Sequence, residues 1–344
     1  MNQRTWRDVD MSRATGRVTL QDIAQATGYT SNTISRALKD KPDIAPETRK
    51  LIQQKAREMG YVRNYIASSL RSGRTKTIAL ISGTMSNPFY AVLADLIQRE
   101  AFRLGYSLMI LCSLDDPETE ISTVEMALSR QVDGILMIPW SSHSPALETL
   151  RRSGVPFVLL NRFVGDEHDD YIICDEEQGG YLVGRHLIEA GHKKLAMITH
   201  MDVTYSTRAR FRGFRRACEE AGIAGPDIAY AQVSRKEDIL HQLLQWRREG
   251  FTGIFSFCDV EAWEEIDLLE KAGLRVPEDM AVVGFDNIAG YINYTRSLCS
   301  VDCDYKEEAV LAVDFLRNRI HNPAMPPQKK TMPVSLVCQH SCRR

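Results

Sequence analysis

At 344 residues, 44% hydrophobic and 26% charged, the chain reads as a soluble globular protein of two to three domains. No apolar run approaches the ~18 residues needed to span a bilayer, which excludes a helical membrane anchor. The net charge of −2 hides an asymmetry: residues 1–76 hold 15 Lys+Arg against 7 Asp+Glu (+8), and the rest hold 28 against 38 (−10), a basic head on an acidic body.

Residues 1–17 read as a disordered arm with no apolar core, so no secretory signal is expected and the expected compartment is the cytoplasm. The eight cysteines fit that compartment, since residues such as Cys112 and Cys174 lie in apolar runs as small hydrophobes. Cys299/Cys303 and Cys338/Cys342 are each spaced by three residues, too wide and too poor in turn glycines to assign a metal site.

Residues 18–63 predict a helix-turn-helix. Thr19 and Asp22 form a capping box for a short helix with Leu20, Ile23 and Ala24 facing inward. Gly28 supplies the sharp turn, and Thr30 caps a second helix with Ile34 and Leu38 inward. Ser31, Asn32, Thr33, Ser35 and Arg36 then form an outward polar stripe suited to phosphates and base edges. Helix–glycine–helix also builds plain structural bundles; the basic charge of the head favours double-stranded DNA. Residues 64–76 read as a hinge and linker, ending in the polar run RSGRTK.

From Thr77 to the end, apolar runs alternate with amphipathic helices. TIALIS, SLMILC, GILMIP, PFVLLN, YIICD, KLAMITH, GIFSF and MAVVGFD read as parallel strands buried on both faces. Asn87-Pro88 and Asp116-Pro117 open helices, and Gly105, Gly191 and Gly273 close them. The pattern predicts a small all-α head followed by an α/β body of two doubly wound parallel-sheet subdomains. The N-subdomain is expected at about 77–174 and 304–328, the C-subdomain at about 175–303 and 329–344. No G-x-G-x-x-G follows a strand and no phosphate-binding loop appears. His143, His168, His186, His192 and His241 show no ligand or triad spacing. No enzyme chemistry, cofactor or metal is therefore expected.

The segment TLQDIAQATGYTSNTISRAL, then PETRKLIQQKAREMGY with Asn64, SNPFY, GVPFVLLNR, HLIEAGHKKLAMI, RFRGF and VPEDMAVVGFDNI stand in an order that resembles the lactose-repressor family of bacterial transcription regulators. The resemblance covers roughly Val18 to Ser341. It implies a regulator, a repressor of a catabolic operon, with a sensor domain like a type I periplasmic sugar-binding protein. A ligand-dependent activator or dual regulator of the same family is the alternative; a sugar-binding protein without DNA function is disfavoured by the basic head.

Carried over by position, Ser31, Asn32 and Arg36 would read bases, and Thr19, Thr30, Thr33 and Ser35 would touch phosphates. The stretch Asn64 to Leu70, with Ala67, would form a hinge helix on specific DNA, Leu70 wedging into the minor groove and Arg71 lying beside the phosphates. Ile66 and Leu70, four apart, also fit ordinary packing on a surface helix. Effector candidates are Asn87, Phe89, Asn161, Arg162, Arg210 and Asp286, with Phe89 and Trp140 covering a sugar ring. Trp140 and Phe255 equally suit the core. Cys258-Asp259 stands where the family usually has Asn-Asp, which puts that contact in doubt. Arg63 replaces the proline before the hinge, Ala45 a helix-capping Ser or Thr, and Gln339 an arginine. Partners implied are operator DNA, a small-molecule effector and a second copy of the chain, with no membrane. No heptad-patterned tail predicts a tetramer.

Overall fold

Thr19 begins the first helix, α1 (Leu20–Thr27), with the reciprocal cap its spacing predicts. Its hydroxyl accepts from the Asp22 N–H at 3.3 Å, and the Asp22 carboxylate accepts from the Thr19 N–H at 2.7 Å. Gly28 ends the helix at φ +75°, a left-handed conformation costing roughly 1–2 kcal/mol in a residue with a Cβ. Thr30 caps α2 (Ser31–Ala37) by accepting from the Thr33 N–H. The third helix, α3 (Pro46–Glu58), starts without a side-chain cap, as alanine at position 45 implies. Ile23, Ile34, Ala37, Ile52 and Ala56 are buried where the three helices meet, with Leu20, Ala24 and Leu38 packed around them. So small a core leaves little surplus stability, so each cap counts.

The computed structural model describes residues 18–62, 73–141, 144–162, 167–200, 204–233 and 235–342, and it separates into two units that divide after Gly73. The arm and the hinge positions Asn64, Ala67, Leu70 and Arg71 lie outside the described residues.

The body runs in chain order β1 (Thr77–Ser82), α4 (Pro88–Arg103), β2 (Ser107–Cys112), α5 (Pro117–Ser129), β3 (Gly134–Met137), α6 (Pro145–Ser153), β4 (Phe157–Leu160) and β5 (Tyr171–Cys174). It continues with α7 (Glu176–Glu189), β6 (Leu195–Thr199), α8 (Tyr205–Glu220), β7 (Ile228–Gln232), α9 (Lys236–Glu249), β8 (Gly253–Ser256), α10 (Asp259–Lys271) and β9 (Ala281–Phe285). The last elements are α11 (Ala289–Ile292), β10 (Cys299–Cys303), α12 (Tyr305–His321), β11 (Lys329–Met332) and β12 (Val334–Val337). They build two six-stranded sheets, ordered β11-β5-β4-β3-β1-β2 and β12-β10-β9-β8-β6-β7. All pairs are parallel except β12 on β10, an antiparallel edge. Strand interiors such as Ile78–Ile81 and Ala281–Val283 are fully buried because helices cover both faces.

The chain passes between the sheets after Cys174, after Cys303 and at Pro333. The third passage corrects the sequence reading, which assigned 329–344 to the second subdomain. Lys329–Met332 pair with Tyr171–Cys174 at the edge of the first sheet, so the crossing falls four residues later. The cysteines correct the sequence reading too: Cys174 is not a free, core-filling thiol, and the pairing follows strand neighbourhood rather than spacing. Cys174 is bonded to Cys303 and Cys299 to Cys342, across Cα separations of 6.4 and 6.3 Å. No helix among the described residues is long and apolar enough to cross a membrane.

Candidate functional site

On the head, α2 presents Ser31, Asn32 and Arg36 exposed, with Thr33 and Ser35 half-buried behind them. Thr19 and Thr30 are exposed but already serve as caps, and the Thr30 and Thr33 hydroxyls lie 2.9 Å apart. Arg36 turns to Asp43, its Nε donating to Oδ2 at 2.8 Å. Both side chains are nearly half exposed, so the pair is worth about 0–1 kcal/mol and can open toward a base edge.

In the body, glycines set the site. A Cβ on Gly180 would lie 1.9 Å from the Arg210 carbonyl oxygen, and one on Gly213 1.8 Å from that of Glu177. α7 and α8 therefore meet backbone to backbone, which seats Arg210 against Glu176, the first residue of α7. Arg210 is 6% exposed. Its Nε donates to Glu176 Oε2 at 2.6 Å, its Nη1 donates to the Phe257 carbonyl, and its Nη2 lies 3.8 Å from Asp286 Oδ1. The guanidinium stacks 3.5 Å above the Phe285 ring centroid.

Asp286 follows β9 at φ +103°, a strained conformation of the kind that collects at ligand sites. Burial pushes its carboxyl up, against the pull of Arg210, and the Tyr305 hydroxyl donates to it at 3.4 Å. Asn161 follows β4, also left-handed at φ +59°, and its buried Nδ2 has no hydrogen-bond partner among the described residues. Arg162 Nη1 donates to the carbonyls of Pro139 and Trp140 at 2.8 and 2.7 Å. Asn87 caps α4, its Oδ1 accepting from the Phe89 N–H at 3.0 Å.

These residues line one cleft of about 510 Å³, its open mouth included. It lies beyond the carboxyl ends of strands from both sheets, where open α/β sheets bind ligands. Six of the ten effector candidates meet there: Asn87, Phe89, Asn161, Arg162, Arg210 and Asp286. The other four do not line it. Trp140 engages through its backbone, accepting from Arg162 and donating to Glu120. Phe255 is fully buried in the second sheet's core against Phe214. Cys258 is 3% exposed at the start of α10, where burial pushes its thiol well above the usual range. Asp259 accepts from the Ile288 N–H at 2.8 Å and from the Ser300 hydroxyl, bracing the turn that carries Asp286; burial pushes its carboxyl up to about 7.

Sequence reasoning missed Tyr90, Ile138, Cys174, Glu176, Ser206, Phe257 and Tyr305 in the lining. A usable signal was position: Ile138, Cys174 and Phe257 end strands or directly follow them, and Glu176, Ser206 and Tyr305 begin helices at the same rim. Beneath Tyr305, Glu308 is fully buried with neither oxygen hydrogen-bonded among the described residues. Burial, with Glu176 and Asp286 nearby, pushes its carboxyl up to about 8.

Residues 19–64 match the family model "Bacterial regulatory proteins, lacI family", and residues 185–342 match "Periplasmic binding protein-like domain". The HTH-type transcriptional regulator DegA of Bacillus subtilis (strain 168) is 31% identical, covering 94% of this chain and 98% of that protein. Among solved structures, the lac repressor dimer bound to operator and the anti-inducer ONPF superposes with a TM-score of 0.82 at 22% identity, over 95% of this chain and all of that one. The transcriptional regulator CelR–cellobiose complex superposes with a TM-score of 0.69 at 24% identity, over 94% of this chain and all of that one.

Proposed function

The chain belongs to the lacI family of bacterial regulatory proteins, and from that premise we propose that it represses a catabolic operon under the control of an uncharged polyhydroxylated molecule, a sugar or sugar derivative, bound between the two sheets. The observation that carries the ligand class is that both cleft arginines are already engaged by protein acceptors. Glu176 and Asp286 face Arg210 and Arg162, and both arginines spend donors on protein acceptors. An anionic ligand would have to compete with those acceptors for both arginines. A neutral hydroxyl-rich ligand instead finds an open amide donor at Asn161, a carboxyl group at Asp286 and apolar faces at Phe89 and Phe257. The cellobiose in CelR belongs to the same chemical class. Arg208 and Arg212 add no cationic pocket: both are exposed, and Arg212 pairs with Glu177.

On the DNA side, Ser31, Asn32 and Arg36 read major-groove base edges while Thr19, Thr30, Thr33 and Ser35 meet phosphates. The hinge, with Asn64, Ala67, Leu70 and Arg71, opens the minor groove. Two copies bind a pseudo-palindromic operator. The face for the second copy is the edge of the first sheet, where Phe102 on α4 is 80% exposed and Ile110 on β2 and Met126 on α5 are also exposed apolar residues. Ligand binding changes the relative pose of the two sheets and so the ordering of the paired hinges; this requires different affinities for the two poses. The protein works in the cytoplasm, and the cleft binds without performing a reaction.

A thermal-shift screen of neutral sugars, sugar acids and nucleobases tests the ligand class. A neutral sugar should raise Tm in proportion to the logarithm of its concentration well above its Kd, and sugar acids should not. Stabilisation by sugar acids alone would refute the reading.

A further inference from the structure

His200 directly follows β6, and Glu261, Glu264 and Glu265 lie on the first two turns of α10. None of the four lines the cleft. Their polar atoms fall into two sets. One set is held: Glu261 Oε2 accepts from the His200 N–H at 3.0 Å, Glu265 Oε2 accepts from the Ser256 hydroxyl, and His200 Nδ1 lies 3.6 Å from Glu264 Oε2. The other set is open: Glu261 Oε1, Glu265 Oε1 and His200 Nε2 are buried, and none makes a hydrogen bond among the described residues. His200 Nε2 and Glu265 Oε1 lie 3.1 Å apart, an ion pair when the imidazole is protonated. Glu261 and Glu265 are 5% and 0% exposed.

One donor atom from each of His200, Glu261 and Glu265 lies within 4.8 Å of the other two. A metal at about 2.1 Å from each ligand puts tetrahedral neighbours about 3.4 Å apart, so modest side-chain adjustment closes the set. Glu261 Oε1 and Glu265 Oε1 are buried with no hydrogen bond among the described residues, and a bound cation gives both a ligand role. The imidazole is already presented as metal-bound histidines are, with Nε2 toward Glu265 Oε1 and Nδ1 toward an outer carboxylate, Glu264.

We infer that His200, Glu261 and Glu265 form a site for a divalent first-row cation of the Mn²⁺ or Zn²⁺ class, which accepts mixed imidazole and carboxylate ligation. Glu264 is the positioning residue that orients His200. The cation ties the end of β6 to α10 and so fixes the wall that carries Phe257. The inference does not depend on which effector the cleft binds.

The test uses the full chain, stripped of metal by dialysis against a chelator and then titrated with Mn²⁺, with binding read as loss of the free-ion EPR signal. Zn²⁺ is followed by calorimetry and by displacement of Mn²⁺. The expected result is one ion per chain, with Glu261→Gln and His200→Gln each weakening binding at least about tenfold while thermal unfolding stays cooperative. If Glu261→Gln fails to fold, His200→Gln decides alone. The inference is overturned if neither ion binds saturably at millimolar concentration, or if the folded variants bind as tightly as the parent. Stabilisation by Glu261→Gln with no metal binding in the parent would overturn it too, leaving a proton-sharing carboxyl cluster.

Discussion

The head and the cleft solve recognition in opposite ways. The base-reading side chains proposed for the head come from one short stretch, with caps at Thr19 and Thr30, a turn at Gly28, and Ser31, Asn32 and Arg36 exposed on α2. Its side chains are solvated and its ion pair Arg36–Asp43 is nearly half exposed. The cleft gathers residues from segments more than two hundred positions apart, from Asn87 to Tyr305, and buries its charges. The difference teaches where energy resides. A change on the head should alter which DNA is bound with little effect on folding, whereas a change in the cleft should be felt first as stability.

The sharpest way to break that contrast is Arg210→Ala. It strands Glu176 beside Asp286 in a buried site and should destabilise the body by about 3–5 kcal/mol in urea unfolding. A loss below about 1 kcal/mol would mean that the cleft is as solvated as the head. Glu308→Gln comes next. The Glu308 carboxyl is raised to about 8 in the fold but titrates in the ordinary range when unfolded, so the folded state holds the extra proton between those values. Its contribution is therefore greatest below the ordinary carboxylate range and is lost as pH rises toward 8. Gln should flatten that slope and stabilise by on the order of 2 kcal/mol at pH 8, with little gain at pH 4. Equal effects at both pH values would remove Glu308 from the account.

On the head, Arg36→Ala should cost about 1–3 kcal/mol in operator binding and relax preference at one base position, as read by selection from random duplexes. An unchanged selected sequence would assign Arg36 to its pair with Asp43 alone. The smallest effect is expected of Thr30→Ala, about 1 kcal/mol of head stability from the lost cap on the Thr33 N–H, measured by thermal unfolding of the full chain followed at the head.

The same contrast explains what could be read from the sequence. The head was legible because Thr19 and Asp22, Gly28 and Thr30 act within a few residues of one another. The eight apolar runs were legible as strands because their segments are continuous hydrophobic stretches; seven are buried in the structure, while β2, at a sheet edge, is apolar but partly exposed, with Ile110 41% exposed. β7, β10, β11 and β12 were not, since Cys299–Cys303 contains Asp302 and Lys329–Met332 begins with two lysines; only strand pairing defines them. In the cleft, Asn87, Asn161, Arg210 and Asp286 were found through motifs. Glu176 and Tyr305 read as ordinary helix starts, because nothing local reveals that one will meet Arg210 and the other Asp286. Phe255 and Asp259 lie two residues either side of Phe257 yet outside the lining: Phe255 sits one step deeper along β8 in the same core cluster as Phe257, and Asp259 is turned to the Ile288 N–H and the Ser300 hydroxyl.

The central claim is that the cleft's ligand governs the head. It is tested most directly by fluorescence anisotropy of a selected operator duplex, titrated with full-length protein with and without the sugar that gives the largest thermal shift. A change in operator Kd of roughly 5–150-fold is predicted. A sugar that saturates the cleft while leaving operator affinity unchanged would contradict it.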